Sequence, residues 1–364
     1  MSAPVILYVH DLRGSGVVTN ALALARRLGA ERKTILCAGY DDGLNRGAEV
    51  APARLVVLGQ GPQPRRPRMA AAGKLRALIA ANRVGLVVSM GNFGHSTVFA
   101  ATRLTGVRTV YRISNEIGRP QPGLRNFRRR NWQRLLLATA NRIILVGRAL
   151  AEQPLFARAV AAGRAVYIPN GVDVGCARRE AAAPSPHEWF DDGGPPVVLT
   201  VGRIHPQKNL EGLIEGAALA LRQRALRLII LGSGEAGRIE ALKQRAQELG
   251  IGDAVLFAGE TDNVFAWLAR ADLFALVSQW EGSSTALLEA LAVGTPILAS
   301  RQAGDAVHVL GDGRFGALVD AENPASIAAG IVRQLDDPVH PGDRAAQYRL
   351  ADTHQLYLDV LRAL

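Results

Sequence analysis

Residues 281–289 decide the fold of this chain, and they read EGSSTALLE. An apolar run of strand length, residues 272–278, precedes this stretch, and a second one, residues 296–299, follows it. Residues 283–285 are serine, serine and threonine, which are residue types that begin helices. The pattern therefore predicts a strand, a polar turn, a helix and a second strand, a succession typical of a parallel α/β sheet.

Two carboxylates, Glu281 and Glu289, flank the predicted helix start. The unpaired N–H groups and the dipole of a helix start attract an anion, which these carboxylates would repel. Carboxylates accept hydrogen bonds well from hydroxyl groups, and a sugar or a ribose offers several. The stretch fits a ligand that carries both phosphate and sugar. It equally fits a capping acid beside a solvated surface acid.

The length and composition of the chain indicate a two-domain globular protein. Its 364 residues exceed one ordinary core, and 38 glycines and 18 prolines supply many turns. No apolar run reaches the roughly 18 residues that cross a membrane, and residues 1–10 lack the basic start of a signal peptide. The two cysteines, Cys37 and Cys176, have no metal-type spacing. A reduced, cytoplasmic chain is therefore expected.

The net charge of +11 is unevenly distributed. Residues 1–180 carry 28 Lys and Arg against 9 Asp and Glu, a net +19, whereas residues 181–364 carry 15 against 23, a net −8. The densest basic stretch, residues 119–134, mixes six arginines with Phe127 and Trp132. This mixture suits an anionic membrane surface. It also suits nucleic acid, although no nucleic-acid-binding signature accompanies it, and a solvated basic surface is the plain alternative.

The first half alternates strand-like and helix-like segments, which predicts a parallel sheet covered on both faces. Gly14 and Gly16 follow the first strand in a flexible loop, where a backbone can approach a phosphate closely. A simple tight turn fits these glycines as well. Residues 178–196 are rich in alanine, proline, glycine and acid and have no apolar period. We therefore place the domain boundary near residue 185, which gives domains 1–184 and 185–364.

The second half restarts the same pattern. A strand at residues 197–201 leads into a polar loop with Arg203 and Lys208, whose cationic side chains can converge on one phosphate. An ordinary surface loop is the alternative. Residues 232–237 form a Gly-x-Gly-x-x-Gly after the next strand, but Glu235 would lie beside a pyrophosphate there. This disfavours a nicotinamide site.

The second half resembles glycosyltransferase family four, the retaining transferases of the GT-B fold. The matching segments keep the family's order and spacing over residues 165–335. They include Val201-Gly202-Arg203 with Lys208, Leu231-Gly232-Ser233-Gly234-Glu235, Ala271-Asp272-Leu273-Phe274, Glu281-Gly282, Leu288-Glu289-Ala290 and Gly294-Thr295-Pro296. The resemblance implies two Rossmann-like parallel-sheet domains facing a central cleft, with the C-terminal helix packing back. The first domain would bind the acceptor and the second the nucleotide sugar.

The resemblance also assigns roles to residues. Arg203 and Lys208 would hold the donor diphosphate and stabilise the leaving nucleotide, Glu281 would accept from sugar hydroxyls, and Glu289 would accept from the ribose. Further donor-binding positions are expected at Gly282, Ser283, Ser284, Thr285, Gly14, Gly16 and Gly234. No Asp-x-Asp occurs in the chain, so we expect neither a metal nor a cofactor beyond the nucleotide-sugar substrate.

The implied activity is a retaining transfer from a nucleotide-diphosphate sugar, a UDP-sugar above all, to a glycan or lipid-linked acceptor. Such a reaction would serve cell-surface polysaccharide or lipopolysaccharide synthesis at the inner face of the membrane. His95, Arg112 and Asn115 are the acceptor-side candidates. The chain departs from the family at Ser283, where an aromatic residue is usual, and at Asp305, where a glycine is usual. The alternatives are an epimerase or phosphorylase on the same fold, and a non-catalytic nucleic-acid-binding module.

Overall fold

The computed structural model describes residues 3–41, 48–59, 67–115 and 124–364. The chain forms two compact units. The first unit comprises Met1–Pro169 together with His354–Leu364, and the second comprises Asn170–Thr353.

The first unit contains a seven-stranded sheet and the helices that cover it. Its strands are β1 (Val5–Val9), β2 (Thr34–Ala38), β3 (Arg54–Val57), β4 (Leu86–Ser89), β5 (Arg108–Ile113), β6 (Arg142–Leu145) and β7 (Ala165–Tyr167). Its first six helices are α1 (Gly16–Gly29), α2 (Pro67–Ala81), α3 (His95–Thr102), α4 (Leu124–Thr139), α5 (Arg148–Ala151) and α6 (Ala157–Ala161). All neighbouring strands pair in parallel, in the order β3-β2-β1-β4-β5-β6-β7.

The second unit repeats this architecture with six strands. The strands are β8 (Val197–Val201), β9 (Arg227–Leu231), β10 (Val255–Gly259), β11 (Leu273–Leu276), β12 (Ile297–Ser300) and β13 (Ala317–Val319). The helices that follow in the chain are α7 (Val174–Ala181), α8 (Leu210–Leu221), α9 (Ala236–Glu248), α10 (Val264–Leu268), α11 (Thr285–Val293), α12 (Ala306–Val309), α13 (Pro324–Asp336) and α14 (Leu350–Arg362). The strand order is β10-β9-β8-β11-β12-β13, again all parallel.

Both sheets are buried on both faces, which explains the continuous apolar runs of their strands. In β1, for example, Val5 and Leu7 belong to the core on one face, whereas Ile6 and Tyr8 belong to the core on the other. Helix α14 contributes buried side chains, among them Tyr357, to the first of these cores. The C-terminal helix therefore packs back on the first unit, as predicted.

Strand order fixes where a ligand site can lie in the second unit. The chain moves outward from β8 through β9 to β10 and then returns to β11 on the other side of β8. The loops after β8 and β11 thus start side by side at the carboxyl edge of the sheet. Such a switch point is where open α/β sheets bind ligands.

The units divide between Pro169 and Asn170, whereas the sequence places the boundary near residue 185. The difference arises because the alanine-rich segment after Asp173 is not a linker. Asp173 caps helix α7 by accepting a hydrogen bond from the Cys176 N–H, and Ala177 of this helix is fully buried in the second unit. A short helix with a single buried alanine leaves no apolar period in the sequence.

Candidate active site

Lys208 lies across the carboxyl end of β8. Gly202 follows this strand with a φ of +146°, and a Cβ atom there would lie only 2.8 Å from the Lys208 Cε. Glycine adopts this φ without strain, and its lack of a side chain leaves the lysine stem undisturbed. The lysine amine is thereby held over the edge of the sheet.

The Lys208 amine pairs with Glu281 from the neighbouring loop after β11. Its Nζ lies 2.7 Å from the Glu281 Oε1, and only 17% and 10% of the two side chains are exposed. The buried Ser278 hydroxyl donates to the same carboxylate oxygen at 3.0 Å. Among the described residues, Glu281 Oε2 has no hydrogen-bond partner, so it is the oxygen left to accept from a ligand.

Gln207 joins the Lys208 turn to the loop that carries Glu281. Its side-chain amide donates to the Trp280 carbonyl at 2.9 Å, and its backbone carbonyl accepts from the Gln279 N–H at 2.9 Å. The glutamine is buried. Sequence reasoning missed this residue, because its partners are some 73 positions away and no local pattern marks it.

The start of helix α11 is open to an anion. Ser284 is its N-cap residue, but the serine side chain makes no capping hydrogen bond. Thr285 begins the helix, so the first N–H groups of α11 lack the usual side-chain partner. We call residues 278–285 the donor loop. Two hydrogen bonds hold carbonyl groups of this loop. The Asp305 N–H donates to the Gly282 carbonyl at 3.2 Å, and the Asn170 side-chain amide donates to the Ser283 carbonyl at 2.9 Å.

Glu289 lies one turn into α11, within reach of the Lys208 charge. Burial raises the pKa of this carboxyl group to about 7, and the positive charge of Lys208 acts in the opposite direction. The structure thus brings Lys208, Glu281 and Glu289 together around the open helix start.

Arg203 follows Gly202 and is exposed. Within the described ranges its guanidinium group has no hydrogen-bond or ion-pair partner. Burial and the charges of Arg203 and Arg238 lower the pKa of the neighbouring His205. The side chain of Arg203 is free to turn toward a diphosphate at the edge of β8.

Gly14, Gly16, His95, Arg112 and Asn115 all belong to the first unit. Gly14 is exposed, and Gly16 begins α1, whose N-cap Ser15 accepts a hydrogen bond from the Val18 N–H at 3.3 Å. In contrast to α11, this helix start is capped by its own serine.

Two of the acceptor-side candidates lie in the core of the first unit. The His95 Nδ1 lies 2.8 Å from the Ser89 hydroxyl, and burial together with the Arg112 charge lowers the pKa of His95 to about 3. Arg112 is 1% exposed and donates to the Tyr357 hydroxyl and to the Met90 carbonyl, both at 2.9 Å. Both side chains are therefore placed to support the sheet.

Asn115 is half-buried, and its carbonyl accepts a hydrogen bond from the Asn92 side chain at 2.9 Å. The role of all three candidates toward an acceptor stays a prediction.

The basic stretch at residues 119–134 is largely helical. Helix α4 exposes Phe127, Arg128 and Arg130, and Trp132 packs edge-on against Phe99 at 5.2 Å between ring centres. Arg119 and the side chains of Arg125 and Arg129 lie outside the described residues. In the part of the chain that the structure describes, no helix has both the length and the apolarity needed to cross a bilayer.

Two family models match the chain, one for each half. A model described as glycosyl transferase 4-like domain matches residues 14–171, and one described as glycosyl transferases group 1 matches residues 185–351. The second match contains all the residues gathered around the open start of α11.

Curated relatives cover part of the chain. A Campylobacter jejuni N-acetylgalactosamine-N,N'-diacetylbacillosaminyl-diphospho-undecaprenol 4-alpha-N-acetylgalactosaminyltransferase is 33% identical over 140 residues, which are 38% of this chain and 37% of the relative. A Rhizobium meliloti lipopolysaccharide core biosynthesis glycosyltransferase, LpsE, is 33% identical over 157 residues, 43% of each chain. The chain thus spans about two fifths of the length of these relatives.

The whole chain is similar to solved structures of GT-B glycosyltransferases. The Anabaena protein HepE in complex with UDP and glucose superposes with a TM-score of 0.83 over 100% of both chains, at 19% sequence identity. At that identity the likeness concerns the fold. A glycosyltransferase model matches each half in order, and the fold is shared with solved GT-B enzymes. The chain is therefore a GT-B glycosyltransferase whose second half belongs to the group 1 family.

Proposed function

We propose that this protein is a retaining, metal-independent glycosyltransferase. It moves a sugar from a nucleotide-diphosphate donor, a UDP-sugar in the first instance, to a glycan or lipid-linked acceptor. The observation that carries the proposal is the Lys208–Glu281 pair beside the uncapped start of α11. Cations, an open helix start and a carboxylate acceptor meet there at the switch point of a parallel sheet.

The charge distribution of this site suits the departure of a diphosphate. Breaking the glycosyl–phosphate bond leaves negative charge on the nucleotide, and preorganised cations and N–H groups stabilise such charge without reorganising. Lys208 and Arg203 supply the cations, and the first turn of α11 supplies the N–H groups. This arrangement does the work for which other transferases use a metal ion, and the chain has no Asp-x-Asp to hold one.

The two carboxylates suit the hydroxyl groups of the donor. The Oε1 of Glu281 is occupied by Lys208 and Ser278, so Oε2 accepts from a hydroxyl of the transferred sugar. Glu289, farther along α11, accepts from the ribose. The carboxylates thereby face hydroxyl groups, and the helix start faces phosphate. This division removes the repulsion expected from acids at an anion site.

The relatives support an acceptor of the cell surface. One is named for a sugar carried on diphospho-undecaprenol and the other for lipopolysaccharide core synthesis. The net +19 of residues 1–180 supports work at an anionic membrane surface, which we assign to the cytoplasmic side. The sequence carries no nucleic-acid-binding signature, so nucleic acid is not proposed as a partner. The retaining stereochemistry is supported by the resemblance to a family of retaining enzymes.

A panel of nucleotide sugars tests the donor assignment. A ligand that binds only the folded protein raises its melting temperature in proportion to its affinity, so one base and one sugar should stand out. With that donor, Arg203→Ala, Lys208→Ala and Glu281→Ala should each lower turnover by at least about a hundredfold while the protein stays folded.

Arg222→Ala is the matched control, because Arg222 is likewise an exposed arginine of the second unit. It should leave turnover unchanged. Full activity in all three site variants would refute the site. Product analysis separates the alternatives: an epimerase alters the donor with no acceptor present, a phosphorylase transfers the sugar to inorganic phosphate, and an inverted anomeric centre excludes retention. Activity that disappears with a chelator and returns with a divalent metal would contradict a metal-independent reaction.

A further inference from the structure

Basic residues mark the strand starts of the first unit. Each of the strands β2 to β7 begins with a basic residue or has one within three positions before it: Arg32, Lys33, Arg54, Arg83, Arg108, Arg142 and Arg164. We call this set the amino edge. The strands are parallel, so their starts lie along one edge of the sheet, and at about 4.8 Å per strand that edge is roughly 30 Å long.

The same architecture in the second unit lacks such a row. There β9 begins with Arg227, which pairs with Asp192 at 2.8 Å, and Asp253 and Asp272 precede β10 and β11. The row is therefore a property of the first unit and no requirement of the fold.

Part of the amino edge carries uncompensated charge. Arg54, Arg83 and Arg108 are exposed, and none of the described residues gives their guanidinium groups a carboxylate or a hydrogen-bond acceptor. Glu31 lies near Arg108, but it pairs with Arg27 and with Arg362, each at 2.7 Å. A row of like charges without counter-charges repels itself and attracts an extended anionic partner.

An exposed leucine projects from the same edge. Leu104 is 95% exposed, has a φ of +64°, and lies in the loop between α3 and β5 beside Arg103. A left-handed backbone is unfavourable for leucine, and water is a poor environment for its side chain. An apolar side chain among arginines suits the boundary between lipid headgroups and acyl chains. A nucleic-acid backbone offers no such apolar layer.

A cavity opens at the same edge. It has a volume of about 480 Å³, and its lining includes Arg32, Arg108 and Arg362, the acid Glu31 that pairs with Arg362, and the aliphatic Leu28, Leu86 and Leu361. The Arg32 Nε is buried without a partner among the described residues. Arginines beside an aliphatic surface fit a phosphate headgroup that is attached to an apolar stem.

We propose that the amino edge of the first unit, with Leu104 and this cavity, is a docking surface for an anionic lipid bilayer. The inference rests on the anionic-surface part of the proposed function and assigns that role to a specific face, distinct from the exposed face of α4. Lipid phosphates meet the arginines, and Leu104 enters the headgroup boundary.

Vesicle sedimentation tests the surface with the full chain. Wild-type protein should bind vesicles of phosphatidylcholine and phosphatidylglycerol in equal parts, and should bind phosphatidylcholine alone weakly. Arg83→Glu with Arg108→Glu should lower the partition coefficient on the anionic vesicles by roughly tenfold or more. The same double reversal in the second unit, Arg222→Glu with Lys243→Glu, should change it little. The pair Arg128→Glu and Arg130→Glu on α4 reports on the rival face.

Leu104→Trp supplies a second measurement, which reports insertion into the bilayer and does not depend on a change of charge. Its added fluorescence should shift to the blue on anionic vesicles and stay unshifted with duplex DNA at equal phosphate concentration. If the Arg83→Glu, Arg108→Glu variant still binds anionic vesicles and the Arg128→Glu, Arg130→Glu variant does not, the docking surface is not the amino edge. The membrane would then remain the partner. Wild-type protein that binds DNA and no vesicle overturns both. The donor-binding measurement without vesicles is independent of either result.

Discussion

Asn170 holds the donor loop through a hydrogen bond of its side-chain amide. It is 5% exposed, and its amide donates to the Ser283 carbonyl at 2.9 Å, immediately before the N-cap of α11. The direction of the first N–H groups of α11 depends on the peptide plane that this bond holds. Under the proposed function, Asn170 is thus a positioning residue for the N–H groups that meet the phosphate.

Replacing Asn170 by aspartate should weaken donor binding. Asn170→Asp removes the N–H donor and sets a carboxylate oxygen against the Ser283 carbonyl, which shifts the loop. We expect the donor dissociation constant and KM to rise about tenfold, the equivalent of one lost hydrogen bond, with a smaller change in kcat. Calorimetric titration with the nucleotide measures the first and initial rates measure the others.

Asn263→Asp is the matched control, because the Asn263 amide donates in the same way to the Glu180 carbonyl at 2.9 Å, away from the donor loop. Its Oδ1 keeps capping α10 in the aspartate variant. Equal loss of donor affinity in both variants would show that Asn170 acts through general stability.

At the scale of elements, the loops after β8 and β9 touch backbone to backbone. The Ile204 N–H donates to the Ser233 carbonyl at 2.7 Å, and a Cβ atom on Gly234 would lie 2.5 Å from the Ile204 carbonyl oxygen. Packing alone thus accounts for glycine at position 234. A contact of Gly234 with the donor stays a prediction.

Two neighbouring glycines separate these roles. Gly234→Ala should destabilise the protein by about 2 kcal/mol or more, because the methyl group meets backbone atoms that cannot move aside. Gly237→Ala, three residues on in α9, points into open space and should stabilise the protein by up to about 1 kcal/mol. Urea unfolding measures both. A Gly234→Ala protein of unchanged stability that no longer binds the donor would instead show contact with the phosphate.

Most elements follow from apolar patterning, and the exceptions have physical causes. Strand β8 coincides with its predicted run at residues 197–201, since buried parallel strands are uniformly apolar. The apolar period of helix α4 is hidden in the sequence by the arginines of its first turns.

Residues of the candidate site could be predicted where they belong to a sequence motif. They could not be predicted where only the folded chain brings them to the site. Lys208, Glu281 and Glu289 belong to segments with characteristic spacing, and the structure brings them together. Gln207 and Asn170 act through single long-range hydrogen bonds to carbonyl groups. Any residue can present a carbonyl, so such a partnership leaves no trace in composition or spacing.

At the scale of the whole molecule, titration should limit stability from both sides. Glu289 keeps its proton to about pH 7 in the folded state, against an ordinary pKa of 4.5, so stability falls as pH rises through this window. His95 has its pKa lowered from 6.5 to about 3, so the unfolded chain takes up a proton first and stability falls as pH drops below 6.5.

Glu289→Gln should separate the two effects. Glutamine resembles the protonated acid, so the variant should melt with wild type near pH 5 and above it near pH 8, where the wild type holds a buried charge. Donor binding should be weakened near pH 8, where only the wild type carries a carboxylate, and should match wild type near pH 5. Glu322→Gln, at an exposed position, is the control and should track wild type throughout. A Glu289→Gln protein that gains nothing near pH 8 would contradict the burial of this charge.

The attachment of α14 to the first unit has a consequence for biosynthesis. A ribosome delivers residues 3–169 first, yet their core stays open until Tyr357, Leu358 and Leu361 emerge. The second unit, translated in between, is complete before that moment. The first unit is therefore synthesised first but completes its core last. The hydrogen bond from Arg112 to the Tyr357 hydroxyl, for example, cannot form until the end of α14 has been translated. During that interval the nascent chain presents apolar surface to chaperones, and a premature stop codon near its end would spare the donor half while leaving the first half incomplete.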